Sequence, residues 1–276
     1  MTLTSSGIVR NFLLSIPSSY GAQSSVPLIL SFHGGTRTSE HQLRLDQLTN
    51  PQFNTVAMVV YPQGLNNAWQ NIPGRSQNAP DVQFTSDLIG YLANMYCIDS
   101  SRIWATGKSD GGGFCGTLAC DPNLSKRIAA FAPVSAAFYV NSGSCDPLTA
   151  FPPCNPGRSN IPFIEFHGGK DTTIAYNGGP RRGQCLPSIP NYIQQWARRD
   201  GLGTKNQSEP FAPDSSVYRF GKGANAGLVA QYYDPVIGHD WPSTVPNSDN
   251  SQPSRHVASF NATPIILKFF QQHQLE

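Results

Sequence analysis

Arg102-Ile103-Trp104-Ala105-Thr106-Gly107-Lys108-Ser109-Asp110-Gly111-Gly112-Gly113 is the stretch on which the reading of this chain turns. Residues 102–106 read as a buried strand and residues 114–120 continue as a helix, with a G-x-S-x-G turn between them. Strand, tight turn and helix in that order make a nucleophile elbow, with Ser109 exposed on a strained turn at the head of a sheet. Such a turn needs small neighbours, which Gly107 and Gly111 supply. Three successive glycines, Gly111 to Gly113, then open the helix at a cost of about 0.5–1 kcal/mol each relative to alanine. Close backbone approach is therefore expected here. The plain alternative is a glycine-rich turn carrying an exposed serine.

Working outward, 276 residues with no linker, repeat or low-complexity tract read as a single domain, residues 1–276. Charged residues make up only 13%, about half the usual quarter, so the surface must be built from uncharged polar residues, Gly and Pro. A net charge of +2 with no basic run gives no reason to expect nucleic acid or an anionic membrane as partner. No apolar run approaches the ~20 residues that cross a bilayer. Six cysteines lack the C-x-x-C pairs of a zinc or redox site, and an even count with few charges fits a secreted, disulfide-bonded protein. Residues 1–10 show no apolar signal-peptide core, so a secreted chain would be a mature form behind an added Met. Cys145 and Cys154, bracketing a short Pro-rich loop, are the expected pair, and Cys97 and Cys120 each end a predicted helix and can meet. Cys115 and Cys185 are left over.

Apolar runs at residues 27–32, 55–61, 102–106, 128–134, 162–166 and 227–233 read as strands, the earliest of them fully buried. Amphipathic stretches at residues 40–48, 82–96, 114–120, 189–199 and 265–273 separate or follow them as helices. Residues 8–14 open the sheet at an antiparallel edge, and residues 140–160 and 201–216 read as irregular excursions. The alternation predicts an α/β fold, a mostly parallel sheet with helices on both faces.

In such a sheet functional groups gather beyond the carboxyl ends of the strands. The loops at those ends carry His33-Gly34-Gly35-Thr36, Ser109, His167-Gly168-Gly169-Lys170-Asp171, and Asp234 to Pro242 with His239. Serine then acid then histidine is the chain order of a hydrolase triad. Ser109 needs a base to take its proton, and His239 lies in a loop that can aim its ring there. Asp171 is the acid that holds the other ring N–H, with Asp234 and Asp240 as rivals, and the plain alternative is that Asp171 merely caps the turn through Thr172 and Thr173. The backbone N–H groups of Asp110 and Gly35, the latter preferred to Thr36, form the oxyanion hole. His33 and His167, each in a Phe-His-Gly-Gly string, are expected to order the loops after them. No His/Asp cluster tight enough for a metal appears.

These residues resemble the fungal feruloyl esterases of carbohydrate esterase family one, type C/D. The strings that carry the resemblance include Ser31-Phe32-His33-Gly34, Val60-Tyr61-Pro62-Gln63-Gly64, Tyr96-Cys97-Ile98-Asp99, Ala130 to Ser135, Tyr176 to Gly183, Gly238-His239 and Trp241-Pro242. The resemblance implies an α/β-hydrolase fold, secretion, no cofactor, and cleavage of hydroxycinnamate esters from cell-wall arabinoxylan. Carried over by position, it makes Ser109, Asp171 and His239 nucleophile, acid and base. Feruloylated plant polysaccharide or small hydroxycinnamate esters are the expected partners, and a monomer is expected. Two departures stand out. Asp110 occupies a position where such enzymes often have Asn, and its carboxylate is expected to disfavour anionic substrates. The family's N-terminal cysteine is also missing, which leaves the partner of Cys185 open. Trp69, Phe138, Tyr176 and Trp241 are candidate walls for an aromatic acyl group. Acetyl xylan esterase, polyester depolymerase and an inactive hydrolase domain kept for binding are the competing readings.

Overall fold

The computed structural model describes residues 1–21, 24–70, 72–74, 79–251 and 256–276. Each fully apolar run of the sequence is a central strand. β3 (Val26–Phe32), β4 (Met58–Pro62), β6 (Ala130–Val134) and β7 (Phe163–Gly168) are buried along their whole length. Strands covered on both faces have no solvent side to make polar, so the run is continuous rather than alternating. With β5 (Ile98–Lys108) and β12 (Val229–Asp234) they pair in parallel, in the order β4-β3-β5-β6-β7-β12. Antiparallel strands finish both edges. β2 (Ile8–Ser15) lies against β4 with β1 (Thr2–Ser5) outside it, and β11 (Ser215–Phe220) lies against β12 with β10 (Gln207–Ala212) outside it. One ten-stranded, mostly parallel sheet results.

The pleat divides the core in two. Leu28, Leu30 and Phe32 of β3 join a cluster with Phe84 and Leu88 of α2 (Asp81–Met95), Phe114 and Leu118 of α3 (Asp110–Cys120), and Tyr192 and Trp196 of α4 (Ile189–Arg199). Ile29 turns the other way, into a cluster with Leu45 of α1 (Ser39–Asp46) and Ile266 and Phe270 of α5 (Ala262–Gln271). Each such large apolar side chain contributes about 1.5–3 kcal/mol on burial. Helices therefore cover both faces, as the alternation predicts.

Three expectations are corrected. Residues 201–216 are not wholly an irregular excursion, because half of them form β10 and the start of β11. β10 is largely exposed and polar, so no burial pattern marks it, and ladder bonds to β11 create it. Residues 8–14 are not the outermost strand, since β1 folds back over β2. The disulfides are Cys120–Cys154 and Cys145–Cys185, with Cys97 and Cys115 free. The 140–160 loop folds across the end of α3, where Asn155 N–H donates to Cys120 O at 3.2 Å, and this brings Cys154 to Cys120. Val140 forms an isolated bridge with Cys185, in the short hairpin of β8 (Gly179–Arg181) and β9 (Gln184–Leu186), which brings Cys145 alongside.

Candidate active site

The elbow is built by close packing of backbone on backbone. Ser109 joins β5 to α3 with φ 56° and ψ −119°, a conformation that non-glycine residues hold only under outside constraint. The constraint is visible. Ser109 N–H donates to Val134 O at 3.0 Å, and Ser109 O accepts from Gly113 N at 2.9 Å and Ala137 N at 3.0 Å. A Cβ on Gly107 would stand 2.8 Å from Phe32 O and from the Gly111 backbone, and one on Gly111 would collide with the carbonyls of Phe32 and His33. A Cβ on Gly113 would strike Ala137 O. The glycine run is thus the close approach that its helix cost implied.

Asp171 and His239 are 68 residues apart and meet because two strand-end loops are stitched together. Gly169 N–H donates to Asp234 O at 2.7 Å and Lys170 N–H to Ile237 O at 3.0 Å. Only a glycine at 168 allows this, since a side chain there would strike the carbonyls of Ile237 and Gly238. His239 Nδ1 then lies 2.7 Å from Asp171 Oδ2. The other oxygen, Asp171 Oδ1, accepts from the N–H groups of Thr173 at 2.8 Å and Ile174 at 2.7 Å. Turn capping and histidine orientation were rival readings of Asp171, and the two oxygens do both. The rival acids face elsewhere: Asp240 Oδ2 accepts from Gly238 N, and Asp234 Oδ1 from Val236 N.

A second histidine shares that carboxylate. His167 Nε2 is 3.3 Å from Asp171 Oδ2 and 2.8 Å from Ile174 O, while Nδ1 is 2.7 Å from Glu165 Oε1. His167 and Glu165 are wholly buried. Burial disfavours charge on His167, but Glu165 and Asp171 outweigh it and push the imidazole up to about 10. Burial also works against the Asp171 charge, and hydrogen bonds from His167 and His239 overcome it, holding the carboxyl well below the usual range. His239 shifts the other way: burial first, and Lys108 second, lower it below an ordinary imidazole. The result is an anionic acid beside a neutral ring that can accept a proton. His167 ties the loop after β7 through Ile174 O and at the same time touches the Asp171 carboxylate.

His33 orders the glycine loop after β3. Burial lowers it to about 4, so it is neutral. Its Nε2 accepts from Gly64 N at 3.0 Å, which leaves Nδ1–H to donate to Gly34 O at 2.8 Å. Of the two oxyanion candidates in that loop, Thr36 N–H is spent on Asn67 O at 2.8 Å. Gly35 lies against the Asp110 carboxylate, where any side chain would collide. Asp110 opens α3, where first-turn N–H groups have no acceptor within the helix.

Ser109 and His239 open into a cavity of about 300 Å³ with Gly34, Gly35, Arg37, Lys108, Asp110, Arg181, Arg182 and Asp249 around it. Its apolar side chains are Leu45 and Ile174. Of the four aromatic residues offered as walls, Trp69 and Trp241 are core residues at 0% and 1% exposure, and neither Phe138 nor Tyr176 lines this cavity. Asp110 does not present a bare carboxylate either, because Arg182 Nη1 is 3.1 Å from its Oδ2.

No family model matches the chain. Among curated proteins it is 29% identical over 216 residues to feruloyl esterase B of Piromyces equi, covering 73% of this chain and 38% of that one. It is 28% identical over 239 residues to a probable feruloyl esterase C of Aspergillus oryzae, covering 84% and 76%. By sequence this chain is a relative of the fungal feruloyl esterases. It spans well under half of the Piromyces relative, so that protein's whole activity is not its own by likeness. The acetyl xylan esterase from Aspergillus awamori superposes with a TM-score of 0.64 at 14% identity, over 95% of this chain and 93% of the other. That likeness establishes the α/β-hydrolase fold. Ser109, Asp171 and His239 lie in the loops that follow β5, β7 and β12, at the carboxyl ends of parallel strands.

Proposed function

We propose that this relative of the feruloyl esterases is a secreted serine esterase that hydrolyses feruloyl and related hydroxycinnamoyl esters of plant cell-wall arabinoxylan. The observation that carries the reading is the 2.7 Å bond from His239 Nδ1 to a buried Asp171, beside a strained Ser109 that shares a cavity with the ring. Asp171 fixes the tautomer, so His239 Nε2 is the free base. Ser109 Oγ attacks the ester carbonyl as its proton passes to Nε2, and the N–H groups of Gly35 and Asp110 receive the oxyanion. The ester C–O bond breaks, the alcohol leaves with the proton from Nε2, and the acyl group stays on Ser109. Water then repeats the cycle and releases the acid. No cofactor enters. Two disulfides suit an extracellular setting.

Feruloyl is preferred because the related sequences are feruloyl esterases. An acetyl group is the second reading, favoured by a cavity with few apolar walls. Fluorophosphonate should add to Ser109 in the folded protein and not to Ser109→Ala. Absence of the adduct would sink the esterase reading and leave a binding domain. Turnover of methyl ferulate, methyl caffeate, methyl sinapate and p-nitrophenyl acetate separates the acyl groups, since acetate release with no hydroxycinnamate release transfers the assignment to acetyl esters.

A further inference from the structure

The cavity before Ser109 is lined by four cationic side chains, Arg37, Lys108, Arg181 and Arg182, and by the carboxylates of Asp110 and Asp249. Two cations are matched. Lys108 Nζ is 2.9 Å from Asp249 Oδ2, and Arg182 Nη1 is 3.1 Å from Asp110 Oδ2. Arg37 and Arg181 have no carboxylate partner among the described residues. Arg181 Nε is closed off from solvent without an acceptor of good geometry, and the neutral Tyr139 hydroxyl is the polar group beside the Arg181 side chain. Such a buried donor is costly unless something accepts from it. Arg37 belongs to the same loop as the Gly35 donor. The position a Cβ would take on Gly34 is 3.5 Å from Ser109 Cβ and 3.9 Å from Arg37 Cγ. Arg181 approaches from β8, whose hairpin is tied down by Cys145–Cys185. An exposed Arg37 and a half-buried Arg181, from separate segments, thus both line the cavity that holds Ser109. Guanidinium is the side chain best matched to a carboxylate, which it can bind through two parallel N–H donors.

We propose that this pocket takes an ester that itself carries a carboxylate close to the scissile bond, and that Arg37 and Arg181 receive that carboxylate. The assignment rests on the esterase reading and narrows its substrate class. It also reverses the expectation that Asp110 repels anions, because Arg182 has neutralised Asp110 and two positive charges remain.

Matched ester pairs test it. Methyl caffeate against caffeoylquinate puts the carboxylate on the alcohol side, and dimethyl against monomethyl succinate puts it on the acyl side. For one pair at least, kcat/KM should favour the charged member, mainly through KM, and high salt should erase that preference. In Arg37→Gln and in Arg181→Gln the charged-to-neutral ratio should fall about tenfold. Arg37→Lys and Arg181→Lys should restore part of it. Calorimetric binding of caffeoylquinate and monomethyl succinate to Ser109→Ala, alone and with each Gln change, gives a readout that needs no turnover. A ratio that ignores salt and both Gln changes, or binding that ignores them, overturns the proposal even if neutral esters are cleaved. Charge-dependent binding with no turnover of any ester and no fluorophosphonate adduct would uphold the carboxylate site and overturn the esterase reading instead.

Discussion

Single residues set the chemistry through their neighbours' charge. Lys108 precedes Ser109, the proposed nucleophile, and is one of the causes that keep His239 below an ordinary imidazole. Replacing it by Met removes that repulsion and takes away the cation beside Asp249, whose charge acts on His239 in the opposite sense. The His239 pKa should then rise. A base must be neutral to act, so the acid limb of kcat/KM in Lys108→Met should move to higher pH. A limb that stays put, or moves down, would show that Lys108 does not act on this ring. Asp171→Asn keeps the shape but cannot hold the donor tautomer, and kcat should fall on the order of 10⁴-fold. Ser109→Ala and His239→Ala should each abolish most of kcat, with the double variant little worse than either. Full activity in Asp171→Asn would mean that another acid serves. The buried Glu165–His167 pair behind Asp171 adds a further test. His167→Gln removes the cation beside the acid, so the Asp171 carboxyl should rise and the pH profile should change more than KM does.

Elements place those residues. The β8–β9 hairpin is short, and it is held in the fold through buried Cys185 and Leu186, the latter in a small cluster with Ala137 and Ile174. Its position depends on Cys145–Cys185, a bridge that closes a separation of 40 residues. By chain entropy such a cross-link contributes about 4 kcal/mol. A Cys145→Ala, Cys185→Ala protein should lose stability of that order in denaturant melts, and its KM should rise more than kcat falls because Arg181 and Arg182 ride on the hairpin. Equal stability with and without the bridge would refute the tether. The disulfide pairing was not legible in the sequence, because proximity of Cys145 and Cys185 arises from a bridge between Val140 and Cys185 across the fold. The elbow was legible because its demands are local: a strand, a strained serine, and glycines where backbone touches backbone. β10 was not, because an exposed polar strand has no apolar pattern, only a partner.

At the scale of the whole molecule, one buried pair ties the first hairpin to the helical layer. Arg10 Nη2 of β2 lies 2.6 Å from Asp81 Oδ1 of α2, with side chains 1% and 0% exposed. The Arg10 guanidinium also stacks 3.9 Å over Phe84. Removing one partner leaves an uncompensated buried charge, so Arg10→Ala or Asp81→Ala should cost about 3–5 kcal/mol in unfolding free energy. Loss below about 1 kcal/mol, the range of an exposed pair, would contradict this burial. By itself the sequence determined the parallel core, the elbow at Ser109, and the loops that carry Asp171 and His239, since burial on both faces and the geometry of a tight turn are written in residue type and spacing. Only the tertiary structure decided which cysteines meet, that His167 shares the acid with His239, and that Arg182 neutralises Asp110. Those facts depend on groups far apart in the chain coming within hydrogen-bond distance, and charge acts through space rather than along the backbone. The same reason makes the pocket before Ser109 cationic, a property no stretch of the sequence displays.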